Sequence, residues 1–185
     1  MTSEPDDASL AVAAAAGDER AFTQLMRLHK ASLYRFVRRY VGDAEEAYDL
    51  LQETFAAAWR ALKTYDPARP VAVWLRAIAL NKCRDWSRRR TVRRWLGRAE
   101  PIEQTVLRDP SPDPEAALAE TEEARHLDRA IAALPAGLKE PLLLTAIEGL
   151  SQEQVGALLG LSAKAVEVRV YRARRKLLEQ FPALA

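Results

Sequence analysis

Residues 151–178 restrict the possible folds of this chain more than any other stretch. Ser151 is followed three residues later by Gln154, which is the spacing of a capping box. A helix is therefore predicted to begin at Ser151 and to end at Gly160. Ser162 supplies a second N-cap for the helix that follows. Two capped helices joined by a short glycine turn predict a helix-turn-helix.

The second of these helices is amphipathic and basic. Its apolar residues recur at helical spacing, and they are Val166, Val170, Ala173 and Leu177. Most of its basic residues fall off that stripe. The pattern fits an ordinary helix pair with a solvated charged face, and it also fits a helix that enters a DNA major groove. The two caps and the short turn favour DNA binding.

Charge is distributed very unevenly along the 185 residues, although the net charge is only +2. Residues 1–66 carry 8 basic and 11 acidic groups, and residues 67–98 carry 10 and 1. Residues 99–163 carry 4 basic and 12 acidic groups, and residues 164–185 carry 6 and 2. Two basic blocks separated by an acidic one predict two polyanion-binding surfaces.

The first basic block continues a predicted helix that begins after the loop at residues 63–70. Seven arginines and one acid fall within fifteen residues of this block, and Trp86 and Trp95 are interleaved with them. Arginine pairs bidentately with phosphate, and aromatic faces stack on unpaired bases. Trp86 lies on the apolar stripe and is predicted to belong to the core. The pattern leaves Trp95 open between core packing and base stacking.

Two further helices are predicted in front of this loop. The first follows the break at Gly17 and ends near Gly42, and its stripe includes His29, which we expect to be a packed core histidine. The second begins at Asp43 as its N-cap. Its polar face is acidic, and from the pattern alone a solvated surface is the favoured interpretation. The residues of this polar face are Glu45, Glu46, Asp49, Gln52 and Glu53.

Residues 95–114 are acidic and rich in proline and predict a flexible linker. We expect residues 1–94 and 115–185 to form separate small helical domains, the second beginning with a helix at about Glu115. No stretch of useful length alternates like a strand. The predicted fold class is therefore all-α, with the helix-turn-helix in the second domain.

Several classes of function are disfavoured by composition. The single cysteine, Cys83, excludes an internal disulfide and lies on an apolar stripe, so we expect a buried structural thiol. With only His29 and His126 beside it, no metal-ligand cluster is visible and no cofactor is expected. The acidic N-terminus lacks the features of a signal peptide, and the apolar run after it is too short to span a bilayer, so a cytoplasmic protein is expected.

Three segments together resemble the extracytoplasmic-function (ECF) group of the sigma-70 family, the promoter-specificity subunits of bacterial RNA polymerase. DAEEAYDLLQETFAAAWRAL resembles the family's core-binding segment, and WLRAIALNKCRDWSRRR resembles its minus-ten segment. LPAGLKEPLLLTAIEGLSQEQVGALLGLSAKAVEVRVYRARRKL is similar to its minus-thirty-five reader. The order and spacing of the three agree with the family, and the resemblance covers nearly the whole chain.

The resemblance implies a role for each of these segments. Docking on the beta-prime clamp helices is implied for Asp49, Leu50, Gln52, Glu53 and Phe55. Capture of a flipped minus-ten base and contact with that element are implied for Tyr65, Asp66, Arg69, Asn81, Arg84 and Arg88. Contact with the minus-thirty-five element is implied for Lys164, Glu167, Arg169, Arg172 and Arg175. Glu167 departs from the family, which commonly has a basic residue at that position.

The partners implied by the resemblance are core polymerase, through its beta-prime clamp helices and beta flap, together with promoter DNA and an anti-sigma factor. Membrane contact is expected only through the anti-sigma factor. The mechanism would be binding, with no catalytic residue. The alternative is a helix-turn-helix regulator that binds DNA alone as a dimer. A nucleic-acid-processing enzyme is disfavoured, because the sequence has no phosphate-binding glycine loop and no nucleophile partnered by a base.

Overall fold

The computed structural model describes residues 6–95 and 122–180, and within these ranges the chain forms eight α-helices and no strand. The all-α prediction is confirmed. The helices are α1 (Asp7–Ala15), α2 (Glu19–Val41), α3 (Ala44–Ala61), α4 (Val71–Trp95), α5 (Glu122–Ala133), α6 (Ala136–Ala146), α7 (Gln152–Leu159) and α8 (Ala163–Gln180). The predicted linker beyond residue 95 and the predicted helix start near Glu115 lie outside the described residues.

The helix starts follow from capping side chains that the sequence supplies. Asp18 Oδ1 accepts hydrogen bonds from the backbone N–H groups of Arg20 and Ala21 at 2.9 and 3.1 Å, and α2 begins there. Asp43 Oδ1 accepts from Glu45 and Glu46 N–H at 3.0 Å each and starts α3 in the same way. Each carboxylate satisfies amides that have no partner inside the helix, so the predicted helix starts are confirmed.

Helix α2 is the spine of the first half, which is residues 6–95. It packs against α1, α3 and α4. Its fully buried side chains include Leu33, Phe36 and Tyr40, and Leu80 and Cys83 of α4 belong to the same core. This burial confirms the apolar stripes and the buried thiol that the sequence predicts.

Two further predictions concern residues beside this core. His29 is buried, and its Nε2 lies 2.9 Å from Asp7 Oδ2 of α1. Trp86 is also buried, and its Nε1–H donates to Glu46 Oε2 at 2.7 Å. Both residues therefore pack as predicted. Trp95, which the pattern left open, is 86% exposed at the end of α4 and is not a core residue.

The second half, residues 122–180, is organised around the helix-turn-helix formed by α7 and α8. Ser151 Oγ accepts from Gln154 N–H at 3.2 Å, and Gln154 Oε1 accepts from Ser151 N–H at 2.8 Å, which completes the capping box. The turn is tight, because a Cβ added at Gly156 would lie only 2.6 Å from the Leu161 carbonyl oxygen. Gly156 therefore lets the chain entering α8 approach α7 closely.

The two halves pack against each other through α2, which contacts both α5 and α6. Gly42 ends α2 with a φ of 82°, in the left-handed region that favours glycine. A Cβ added there would lie 2.7 Å from the Ala132 Cβ of α5. Gly42 therefore allows the left-handed backbone that ends α2, and its lack of a side chain allows α5 to approach closely. Among the described helices, none combines the length and apolarity needed to cross a bilayer.

Candidate nucleic-acid and polymerase interfaces

Helix α8 presents an exposed basic face, because its buried stripe turns the charged residues outward. Ser162 Oγ accepts from Ala165 N–H at 3.2 Å and caps the helix. Lys164, Arg172 and Arg175 are all exposed. Arg175 lies 3.8 Å from Glu179, a distance that leaves its guanidinium available to other anions. Three of the five predicted minus-thirty-five contacts are thus basic side chains that point into solvent.

The remaining two predicted contacts on α8 are arranged differently. Lys164 Nζ donates to Glu167 Oε2 at 2.7 Å, so the acid that departs from the family pattern is paired one turn away. Arg169 is only partly exposed, and its Nη1 would lie 3.6 Å from a Cβ added at Gly137. Its guanidinium therefore lies beside the first turn of α6.

Two exposed apolar residues on α8 were missed by the sequence reasoning. Val168 is partly exposed, and Tyr171 is 62% exposed. With Lys164 and Arg175 they follow the spacing of one helical face. The signal was available, since an aromatic residue off the buried stripe of a basic helix is unusual and can contact base edges or sugars.

The loop at residues 63–70 is built on a buried tyrosine. The Tyr65 hydroxyl donates to the Arg69 carbonyl oxygen at 2.7 Å, and the Tyr65 and Trp74 rings pack with centroids 5.1 Å apart. Burial raises the pKa of Tyr65, and the nearby Asp66 carboxylate adds to that effect. Asp66 Oδ1 accepts from Ala68 N–H at 3.0 Å and closes the turn. Tyr65 therefore supports the loop from inside, whereas the Asp66 and Arg69 side chains are largely exposed.

The predicted minus-ten residues on α4 fall into two groups. Asn81 and Arg88 are exposed, and Arg88 is paired with Asp85 one turn earlier. Arg84 instead points toward the second half, where its Nε and Nη2 donate to the two Glu140 carboxylate oxygens at 2.9 and 2.6 Å. In this conformation Arg84 is engaged by the chain itself.

The acidic face of α3 carries the predicted polymerase contacts. Asp49 and Gln52 are exposed, and Glu53 is partly exposed, with Lys82 Nζ at 3.4 Å and Arg89 Nη2 at 3.9 Å. The other two predicted polymerase contacts on α3 face the core instead of solvent. Leu50 is 2% exposed and Phe55 is 7% exposed, so both lie in the core of the first half.

Polar and charged side chains, most of them buried, also lie between the two halves, and the sequence reasoning missed most of them. We call this group the seam, and its members are Tyr40, Arg76, Arg84, Lys139, Glu140 and Glu148. A signal was present, because Lys139 lies at helical spacing from Leu142 and Leu143, both of which are buried. A charge on an apolar stripe indicates a buried partner.

Comparison with known proteins assigns this arrangement of helices to a family. Residues 25–103 match the model of Sigma-70 region 2, and residues 124–177 match that of Sigma-70 region 4. The chain is 41% identical over 181 residues to RNA polymerase sigma factor CnrH of Cupriavidus metallidurans, covering 96% of this chain and 95% of that protein. It is 34% identical over 179 residues to ECF RNA polymerase sigma factor SigE of Mycolicibacterium smegmatis, covering 94% and 68%. This chain belongs to the ECF group of the sigma-70 family.

A solved structure agrees with this assignment. The structure of CnrH in complex with the cytosolic domain of CnrY superposes on the present ECF sigma factor with a TM-score of 0.70 at 36% identity. The similarity covers 97% of this chain and 99% of the other. The resemblance inferred from three short segments is therefore confirmed along nearly the whole chain.

Proposed function

We propose that this ECF sigma factor binds core RNA polymerase and directs it to promoters by binding alone, without catalysing a reaction. The observation that carries the proposal is the presence of both family regions, in order, on one chain at residues 25–103 and 124–177. The helix-turn-helix and the basic α4 supply two DNA-binding surfaces of different chemistry. Such a pair suits a protein that reads one duplex element and opens another.

Within this proposal, residues 1–94 form region 2, residues 95–114 the linker and residues 115–185 region 4. Region 2 would bind core polymerase and recognise and melt the minus-ten element. Region 4 would recognise the minus-thirty-five element through α8. The matched family regions overlap these boundaries and support the division.

The polymerase contact is assigned to α3. Asp49, Gln52 and Glu53 present polar and acidic groups to solvent, which suits a basic surface on the beta-prime clamp helices. Leu50 and Phe55 would act from the buried side by fixing the orientation of α3. The beta flap is the proposed second contact on core polymerase.

The minus-ten element would meet the loop at residues 63–70 and the exposed side of α4. Tyr65 and Trp74 give the loop a rigid aromatic base, and the exposed Asp66 and Arg69 provide hydrogen-bonding groups beside it. A flipped base needs a stacking surface and phosphate contacts to offset the cost of extrusion, about a few kcal/mol. Asn81, Arg84 and Arg88 would supply further contacts along α4.

The minus-thirty-five element would lie along the exposed face of α8. Arg172 and Arg175 can donate bidentately to guanine or hold phosphates, and Lys164 can contact the backbone at the start of the helix. Glu167, paired with Lys164, would lower the affinity for phosphate at that point and can accept from cytosine N4. Arg169 would act at the edge of this face, beside α6.

Control by an anti-sigma factor in the cytoplasm is also part of the proposal. CnrH, to which this chain is similar over nearly its whole length, has been solved in complex with the cytosolic domain of CnrY. A comparable partner of this sigma factor would contact it on the cytoplasmic side. Any membrane contact would then belong to the partner.

In vitro transcription with core polymerase on genomic fragments tests the proposed function. Adding the sigma factor should produce defined transcripts, and their start sites would identify the promoter elements. A matched reaction with core polymerase alone should produce none. Failure to initiate, together with tight and specific duplex binding by the isolated protein as a dimer, would instead support a regulator that acts without polymerase.

A further inference from the structure

The four tryptophans of the chain are exposed to very different degrees. Trp86 is 6% exposed, Trp74 is partly buried, and Trp59 is 38% exposed. Trp95 is 86% exposed at the end of α4. A tryptophan has one of the largest apolar surfaces of any side chain, and most of the Trp95 surface is in contact with water.

The position of Trp95 on α4 is more informative than its exposure. Single exposed apolar residues are common on protein surfaces and do not by themselves indicate a site. Asn81, Arg88 and Trp95 are spaced by seven residues, which is close to two helical turns, so they lie on one face of α4. All three are exposed, and Val92, one turn before Trp95, is 55% exposed. Trp95 therefore continues the face that carries the proposed minus-ten contacts.

The same spacing leads back from Asn81 to Trp74. The Trp74 ring packs against Tyr65 with centroids 5.1 Å apart and forms the base of the loop at residues 63–70. Trp74 and Trp95 are 21 residues apart, or about 32 Å along the helix. One tryptophan thus lies at each end of a polar and basic face.

The charges around Trp95 suit a polyanion. Arg88, Arg89 and Arg93 are exposed, and residues 67–98 carry 10 basic groups and 1 acidic group. Arg88 is paired with Asp85, but an exposed pair of this kind contributes little stability and can exchange partners. A large aromatic surface among cations suits a polyanion that also carries aromatic groups. Single-stranded nucleic acid has both.

We propose that Trp95 is a stacking platform for an unpaired base of promoter DNA, on the strand that the minus-ten residues of α4 contact. The proposal rests on the proposed function, because it takes Asn81 and Arg88 to be contacts of that strand. Trp95 lies seven residues beyond Arg88, or about 10 Å, which is the length of about three stacked nucleotides. The base on Trp95 is therefore about three nucleotides from the phosphate at Arg88.

Stacking on Trp95 distinguishes open DNA from duplex DNA. A base inside a duplex has both faces covered by its neighbours, whereas an unpaired base can place one face on the indole ring. Every base has such a face, so Trp95 adds affinity for the single strand without a preference for sequence. A base held in this way cannot pair with the opposite strand, so Trp95 opposes closure of the melted region.

The test uses the full-length protein and a fluorescein-labelled single-stranded DNA of mixed sequence. Trp95→Leu keeps an apolar side chain but removes the ring, and it should weaken binding by about fivefold or more, equivalent to about 1 kcal/mol or more for one stacked base. Trp95→Phe keeps a ring and should retain most of the affinity. Leu28→Ala changes an apolar residue of α2 that is 55% exposed, and it should leave the affinity unchanged.

A labelled abasic strand of the same length separates stacking from charge. Trp95→Leu should bind it as tightly as the parent protein does, because no base is present to stack. Arg88→Ala should weaken binding to both strands and lower the salt slope by about 0.7, because it removes a phosphate contact. Equal losses for Trp95→Leu on the two strands would refute stacking. Equal losses for Trp95→Leu and Trp95→Phe on the mixed strand would also refute it, as would absence of binding to that strand by the parent protein at low salt.

Failure of the proposed function would appear differently, as absence of transcription with core polymerase, because the strand titrations need no polymerase. On promoters that are transcribed, Trp95→Leu should reduce the permanganate reactivity of thymines at one edge of the melted region, and Trp95→Phe should not. Weaker binding of Trp95→Leu to core polymerase in a pull-down, with unchanged affinity for the mixed strand, would assign Trp95 to a protein contact and overturn the proposal. Helix content by circular dichroism should be the same in every variant, since Trp95 is 86% exposed.

Discussion

The two basic helices offer their charges to solvent to very different degrees. On α8, Arg172 and Arg175 are exposed, and nothing in the described second half covers that face. On α4, Arg76 and Arg84 are held by glutamates of the second half, whereas Arg88, nearer the end of the helix, is exposed. The number of basic residues in a segment therefore sets how many phosphate contacts the segment can make. The packing of the chain determines which of those residues are accessible to DNA.

The acidic face of α3 offers a reference for this comparison, because it is exposed like α8. Replacing Asp49 and Glu53 together by Lys should abolish binding to core polymerase, since the charge that suits a basic partner is reversed. Transcription in vitro should fall by about a hundredfold or more, on the scale of several lost charge contacts. Pull-down with core polymerase measures the loss directly.

A matched double variant, Glu19→Lys with Glu179→Lys, alters net charge equally on other helices. It should retain affinity for core polymerase. Unchanged affinity in the Asp49 and Glu53 variant, with normal helix content by circular dichroism, would show that α3 does not dock in the proposed way.

The second prediction contrasts Arg172→Ala on α8 with Arg84→Ala on α4. In the free protein, Arg172→Ala should weaken duplex binding by about 1–3 kcal/mol if it reads a base, or lower the salt slope by about 1 if it holds a phosphate. Arg84→Ala should leave duplex binding by the free protein nearly unchanged, because its guanidinium is occupied. Titrations at several salt concentrations separate these outcomes.

With core polymerase present, both variants should impair initiation on a promoter that has both elements. Equal losses for the two variants in the free protein would mean that α4 is as available as α8. That result would contradict the view that α4 is covered by the second half while α8 is accessible.

The third prediction uses the close contact at the end of α2. Gly42→Ala places a Cβ 2.7 Å from the Ala132 Cβ and adds strain at a φ of 82°. Gly17→Ala adds strain at a φ of 102° but meets nothing within 4 Å. Each should lower the free energy of unfolding by about 1–2 kcal/mol through the left-handed backbone. Only Gly42→Ala should also increase the reactivity of Cys83, and equal reactivity in the two variants would argue against a close seam.

The fourth and smallest effect is a pH dependence of the packing between the two halves. The closed form has the seam intact, and the open form has the halves separated. Burial lowers the pKa of Lys139 to about 8, in a setting that also includes Cys83, Glu140 and Arg90, with the Tyr40 ring beneath it. In the open form its pKa returns toward 10.5, so the closed form binds fewer protons between these values. Raising the pH from about 8 to about 10 should therefore favour closure, by at most about tenfold per pH unit.

Small-angle scattering across this range measures the effect. Above that range the ionisation of Tyr40 in the open form opposes closure, because burial and Glu140 raise the pKa of Tyr40 in the closed form. Lys139→Met should remove the dependence, and an equal slope in that variant would assign the effect to another group.

Local features of the fold were predictable because they depend on neighbouring residues. The caps at Asp43, Ser151 and Ser162 fixed where three helices begin, and helical spacing identified Trp86 as a core residue. These signals act over three or four residues, which is the range that a periodic pattern can report.

The seam was not predictable in the same way. Arg84 and Glu140 are 56 positions apart, and no local pattern determines which acid meets which base across that separation. The roles implied for Leu50 and Phe55 came from the family resemblance and not from a local pattern. Leu50 and Phe55 lie next to exposed residues in sequence, yet the turn of α3 directs them into the core, so their predicted contact with polymerase stays a prediction.

The charged character of the seam also affects the solubility of the protein when its two halves separate. Large apolar patches revealed by a conformational change promote aggregation. Separation of these halves instead reveals Lys139, Glu140, Arg76 and Glu148, which are readily hydrated once they are apart. The charged groups of the seam would therefore hydrate much of the surface that such a separation exposes, and so oppose aggregation.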